Sequence, residues 1–370
     1  MTKLLKMEQE LRLVKKNKVT SAVKTLILAI IIVFCLCEEI VSVGYLCQYN
    51  DTVNITDIGH LTNNRANELI DANLISDNDI KMCFIYNAGE NTVKSLSIDK
   101  NVNAEVIYIN GYINMLFPDL KYAKEIDNGN CIIDMTTAVK LFGHTDVIGV
   151  KLSVDNKNYI INDVINSKQQ FVIISDKNNK NLQYDQLYVN TNGESARIIL
   201  NKLSVLYGIK GKMICFRVIV FLPFFLLTIM LIVSTILLIY KTRKIRYYFK
   251  NSKKRYLFYG LEFSIIIFVI ALTLFFLKEI YPIDLMPTFW SAFDEWSEII
   301  ESIKSNFKLL FIKNMLFFEY SYVLHMLKSL FLAFVIYILL IIFKNGIYNN
   351  MIDFITQRQK RIITIDDLAN

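Results

Sequence analysis

Proline and glycine are scarce in this chain, four and twelve among 370 residues. That scarcity leaves little room for a disordered linker or a glycine-rich phosphate loop, and no GxxxxGK[ST] pattern occurs anywhere, so the chain has no loop of the kind that cradles ATP phosphates. Histidine is rarer still, with three. His60 and His144 lie far apart in the polar part of the chain with no nucleophile spacing beside them, and the carboxylates there are scattered as on a solvated surface. These absences argue against an enzyme and leave no catalytic, cofactor-binding or metal-ligating set to assign. Six cysteines, at 35, 37, 47, 83, 131 and 215, form no CxxC or Cys/His spacing. Cys35 and Cys37, two apart on a helix, do not share a face and make a poor metal site. A disulfide between Cys83 and Cys131 stays open if their segment is outside the cell, because geometry decides it and sequence does not show it.

Apolar sequence is abundant instead. Hydrophobic residues make up 54% of the chain, high for a soluble protein. They gather in four runs near the ~20 residues needed to cross a bilayer, read as Val19–Val43, Met213–Tyr240, Tyr256–Leu277 and Val323–Phe343. Glu38 and Glu39 near the outer end of the first run, and the lack of a small-residue cleavage site after it, favour a retained anchor over a signal peptide. Pro223 is expected to kink the second.

Charge sets the orientation. The net +7 gathers beside the apolar runs and not on a soluble face, which argues against nucleic acid as a partner and for membrane lipids. Residues 1–18 place Leu4, Met7, Leu11 and Val14 at helical spacing among lysines and an arginine, as in a cytoplasmic helix lying on an anionic surface. The loop over residues 241–255 carries Arg243, Lys244, Arg246, Lys250, Lys253, Lys254 and Arg255 without one acid, and the tail from Lys344 is again basic. By the positive-inside rule both termini and this loop are cytoplasmic. The fold class that follows is a multi-pass α-helical membrane protein with four transmembrane helices. A large extracytoplasmic α+β domain over residues 44–212 lies between helices 1 and 2, and a smaller outer segment over residues 278–322 between helices 3 and 4. In that segment Phe289, Trp290, Phe293 and Trp296 oppose Asp294, Glu295, Glu298 and Glu301. The stripe fits a helix on the outer leaflet or one packed on the polar domain equally well.

Within the large domain, helical stretches are expected near Asn64–Ala72 and Gly193–Val205. Strands are expected at Met82–Tyr86, Ala104–Ile109, Cys131–Ile133, Lys151–Val154, Tyr159–Val164 and Phe171–Ile174. Four ionisable groups near the membrane, Glu38, Glu39, Arg217 and Glu262, invite pairing. Glu38 or Glu39 lies at about the height of Arg217, counting ~1.5 Å per residue from the inner ends. Glu262, inside the third run with no acidic or histidine partner at mid-membrane, points to packing or pairing with a loop arginine and not to a proton relay.

One stretch, Thr136–Ile165, reads as a helix end with Ala138, Leu141 and Phe142, a stop at Gly143, a turn through Gly149 and a hairpin. With Asp127, the short strand Cys131–Ile133, Asp146 and Ile148, and with Gly111, Tyr112, Leu116 and Phe117 upstream, this order resembles the outer core domain of MacB/FtsX-like ABC transporter permeases. Asn162, Asp163 and Val164 stand where that family usually has a valine-glycine-valine turn, and Val147 replaces its usual serine or proline. Of the family's coupling loop only Arg243, Ile245, Leu261 and Glu262 have counterparts. The resemblance implies a non-enzymatic permease or mechanotransmission subunit at the plasma membrane, paired with a second permease copy or a paralogue. A separate ABC ATPase, itself a dimer, would bind the ATP and magnesium that this chain does not. It also implies that the basic loop contacts that ATPase, and that the substrate is a peptide or a lipid-linked molecule. An FtsX-type regulator of a cell-wall hydrolase and a membrane ligand sensor are the alternatives.

Overall fold

The computed structural model describes residues 2–75, 80–118, 120, 126–167, 169–246, 293–312 and 315–369, with a discontinuous set of positions between 256 and 274. The chain divides into two compact units.

The first unit comprises Met1–Tyr45, Leu222–Tyr281 and Leu324–Asn370. Its described elements belong to three long helices, α1 (Thr2–Cys47), α5 (Phe216–Arg246) and α7 (Phe317–Ala369). Each contains a stretch long and apolar enough to cross a membrane: Leu26–Cys47, Phe216–Leu237 and Phe317–Phe343. Side chains such as Leu26, Phe34, Val41, Ile236 and Phe331 stay uncovered by protein, as a lipid-facing surface requires. The helices meet through Cys35, Leu227, Ala333 and Ile336. Two boundaries differ from the sequence reading. Gly44 does not end α1, which continues through the buried Leu46 to Cys47. Met213 opens no helix, because Lys212–Cys215 is a strand paired with Val53–Thr56. Pro223 sits inside α5 without interrupting its assignment as one helix. Within the expected span Tyr256–Leu277 the described positions, a discontinuous set between 256 and 274, are helical.

The second unit comprises Leu46–Phe221 and Pro282–Val323. Its strands are β1 (Thr52–Thr62), β2 (Met82–Ser95), β3 (Asn101–Gly111), β4 (Asn130–Asp134), β5 (Lys151–Val154), β6 (Lys157–Ile165), β7 (Phe171–Ile174), β8 (Gln183–Asn190) and β9 (Lys212–Cys215). They hydrogen-bond in the order β3-β7-β4-β6-β5-β2-β8-β1-β9, and β2 also pairs with β3. That extra pairing closes six strands into a ring. The long β2 serves both parts, its first residues pairing with β8 and its last with β5. Helices α2 (Asn63–Ile75), α3 (Met135–Phe142) and α4 (Ala196–Tyr207) cover one face with Ala66, Leu69, Ala138, Leu141, Ile199 and Leu203. Burial of each large aliphatic side chain is worth about 1.5–3 kcal/mol, so this spacing is what fixes the helices to the sheet.

The stretch around α3 folds as its residues dictate. Asp134 caps α3 by accepting from the Thr136 and Thr137 amides at 2.7 and 3.0 Å, and its other oxygen accepts from the Phe171 amide at 3.0 Å. One carboxylate thus starts a helix and aligns a strand. Asp155 and Asn156, both at positive φ, form the tight β5–β6 turn. Opposite β4, the register slips between Cys131 and Ile132 so that Asn162 is the extra residue of a β-bulge.

Helix α6 (Phe293–Ile312) packs on the domain. Ile299, Asn306 and Leu310 are buried, Ile303 touches the core, and the Asn306 side-chain oxygen accepts from the Cys215 amide at 2.8 Å. Of the aromatic stripe, Phe293 is 82% exposed and Trp296 is partly buried; Phe289 and Trp290 lie outside the described residues.

Gly111 ends β3 at φ 118°, and a Cβ there would run into the Met82 carbonyl, which already accepts the Tyr112 amide at 2.9 Å. Gly111→Ala is therefore expected to cost about 2 kcal/mol, read as a lowered thermal midpoint of the full chain in detergent; an unchanged midpoint contradicts this account of the turn.

Candidate functional site: the knot where three helices join the domain

Among the described residues, the polypeptide passes between the two units in the last turn of α1, in the second turn of α5 and in the second turn of α7. The residues at these three places meet inside the second unit. Tyr49, two residues past α1, lies with its ring centroid 6.2 Å from Phe216, 6.1 Å from Phe318 and 5.8 Å from Tyr322. Phe216 and Tyr322 meet edge to face at 4.9 Å, and the Tyr322 hydroxyl donates to the Phe216 carbonyl at 2.9 Å. The Tyr49 hydroxyl donates to the Leu116 carbonyl at 3.2 Å. Phe317 stacks on Phe171 and Phe117, at 3.7 and 5.2 Å. Aromatic pairs in such geometries add to the area they bury, and here every pair joins segments distant in sequence.

A polar core completes the knot. Glu319 has no exposed surface. Its Oε1 accepts from Asn54 Nδ2 at 2.9 Å and from the Tyr188 hydroxyl at 2.6 Å, and its Oε2 accepts from the Leu316 amide at 3.1 Å. The last contact is half of a capping box, the third helical residue reaching back to the residue before the helix. The N-terminal end of α7 is also where a negative charge is favoured. The neighbouring anion and burial together push the Tyr188 phenol well above its ordinary pKa, so it remains a donor. Asn54 projects from β1 opposite Val53 and Ile55, which face the core; the polar face of this strand is buried because α7 covers it.

Beside the knot, Arg217 on the first turn of α5 is buried and pairs with Asp51. This corrects the expected pairing with Glu38 or Glu39. In the first unit Glu38 pairs with Lys328 at 2.7 Å, and Glu39 accepts from the Ser329 hydroxyl at 2.5 Å. The reason is register: α7 presents consecutive polar residues to the consecutive glutamates of α1, and Tyr45 stacks on His325 at 4.2 Å further along the same two helices. All six cysteines are free thiols; Cys83 and Cys131 are wholly buried and shifted upward by that burial, so neither is poised as a thiolate. Arg243, Lys244 and Arg246 fall in the last turns of α5 with side chains outside the described set, while Lys250, Lys253, Lys254, Arg255 and Glu262 lie outside the described residues. Among the described residues no group of His, Cys, Asp or Glu could hold a metal ion.

The sequence reading did not single out Tyr49, Asn54, Tyr188, Glu319 or Tyr322. One signal was present: a lone acid within the aromatic run Phe317–Tyr322, too early in the helix for lipid and too apolar in its neighbours for water.

No family model and no curated protein matches the sequence. Among solved structures, the chain is similar to the periplasmic region of MacB from Actinobacillus actinomycetemcomitans, at 12% identity and a TM-score of 0.36, covering 45% of this chain and 89% of that one. It is also similar to the extracellular domain of the noncanonic ABC-type transporter YknZ from Gram-positive bacteria, at 16% identity and a TM-score of 0.32, covering 44% and 97%. At these scores the likeness assigns no role to any residue.

A hydrogen bond to a buried charge is worth about 1.5–3 kcal/mol, and an ordinary one about 1 kcal/mol. Glu319→Ala should therefore destabilise the full chain by about 3 kcal/mol and Tyr322→Phe by about 1 kcal/mol, measured as denaturation in detergent. Equal and small effects would show that the carboxylate is not the anchor.

Proposed function

We propose that this chain is the permease-type, mechanotransmission subunit of an ABC transporter in the plasma membrane. In this reading an ATPase on a separate polypeptide supplies nucleotide hydrolysis, and the chain converts its motion into movement of the extracytoplasmic domain, exporting or releasing a peptide or a lipid-linked molecule. One observation carries the proposal: the residues at all three described passages between helices and domain are tied into a single buried knot. A domain merely displayed on a membrane needs one anchor. A domain that must move when its helices move needs each helix fastened to it without slack, and packed aromatic and charge-assisted contacts supply that stiffness.

The sequence pattern around Thr136–Ile165 supports the same class, and the lack of a phosphate-cradling loop fits an ATPase carried on a separate polypeptide. The proposed topology has four spans with both termini cytoplasmic and two permease subunits, identical or paralogous, to each ATPase dimer. The basic segment over residues 241–255, with Arg243, Lys244 and Arg246 in the last turns of α5 and Lys250, Lys253, Lys254 and Arg255 beyond, is the proposed ATPase contact.

Reversing Arg243, Lys244 and Arg246 to glutamate should abolish co-purification of the partner ATPase. Undiminished capture by a correctly inserted triple variant would remove the loop from the coupling interface.

A further inference from the structure

A groove of about 750 Å³ opens on the second unit beside the start of α7. That volume is within the usual range of small-ligand sites, and its walls differ sharply in chemistry. One wall is aromatic, with Phe317 and the half-exposed Tyr320; the other, from β2 and β3, carries Asn87, Glu90, Asn103 and Glu105. Among the described residues no lysine, arginine or histidine lines it.

The acidic wall is held in place. The β2 bulge between Asn87 and Gly89 turns the Asn87 side chain back so that its Oδ1 accepts the Gly89 amide at 2.8 Å. Its Nδ2 is thereby directed at Glu105, donating at 2.6 Å. Glu105 is half-buried, and burial raises its pKa despite the Asn87 hydrogen bond. A carboxylate in that state is under-solvated and gains from a cation that replaces its missing water. Glu90 is exposed on the same wall. Two acids and an exposed tyrosine ring lining one open groove are the elements that recognise an ammonium or guanidinium group attached to an apolar body: ion pairing from the acids, ring contact from the tyrosine.

We infer that this groove binds a cationic peptide segment, with Glu90 and Glu105 taking its lysine or arginine side chains and the exposed Tyr320 ring its apolar ones. The groove is defined by its own lining, so the inference stands whether or not the chain works with an ATPase.

The full-length protein in nanodiscs of zwitterionic lipid can be titrated with fluorescent acetyl-Lys-Phe-Lys-Phe-Lys-amide and with the counterpart carrying glutamate for lysine. The cationic peptide should bind, weaken as salt rises, and lose about tenfold in affinity with Glu90→Gln and Glu105→Gln combined. Glutamine keeps the acceptor for Asn87, and exposed Glu90 alone can be reversed to lysine, so a loss is separable from unfolding by the thermal midpoint. Failure of the cationic peptide to bind, equal binding of the anionic one, or affinity unchanged in both Glu90→Lys and the double variant would overturn the inference.

Discussion

Glu319 is a carboxylate with no exposed surface, and such a group is tolerated only where hydrogen bonds replace the water it gives up. Asn54, Tyr188 and the Leu316 amide do so, and they come from β1, β8 and the residue preceding α7. The position of α7 on the domain follows from that arrangement. With the helix start fixed, Phe317 and Phe318 enter the aromatic cage of Phe117, Phe171 and Tyr188, and Tyr322 reaches the Phe216 carbonyl at the start of α5. Tyr49 closes the set from the α1 side.

The energetic division of labour within this knot is clear from its chemistry. Aromatic burial supplies most of the attraction but is non-directional. The carboxylate and its three donors supply register, because a shift of α7 by one residue would strand a buried charge. The Arg217–Asp51 pair has one partner half exposed and is screened accordingly, so it adds orientation more than stability. Adhesion and register together fix the first turns of α5 and α7 within the second unit, the feature on which the proposed coupling role rests.

Much of this was legible in the sequence. The three described spans, strands β5 and β7 with their bounds, and the α3 segment with its Gly143 stop follow from apolar length, alternation and capping, all local signals. The β1, β8 and β9 strands were not legible for a physical reason. Thr52–Thr56 interleaves Val53 and Ile55 with Thr and Asn, and such a run looks solvated until the polar face is known to be covered by α7. Likewise Lys212–Cys215 borders an apolar helix and reads as part of it, whereas its backbone is claimed by β1. Height counting brought Arg217 near the outer glutamates but could not see Asp51, placed next to it by the turn after α1. What sequence conceals here is tertiary partnership between segments more than 100 residues apart.

Native-state hydrogen exchange of the full-length protein tests the central claim most directly. If the knot is one cooperative unit, the amides of Tyr320–Val323, of Asn54–Thr56 in β1 and of Leu187–Val189 in β8 will open with a common free energy and lose protection together in Glu319→Ala. Exchange of Tyr320–Val323 at the rate of a fraying helix end, with β1 and β8 still protected, would contradict it, since α7 would then only rest against the domain.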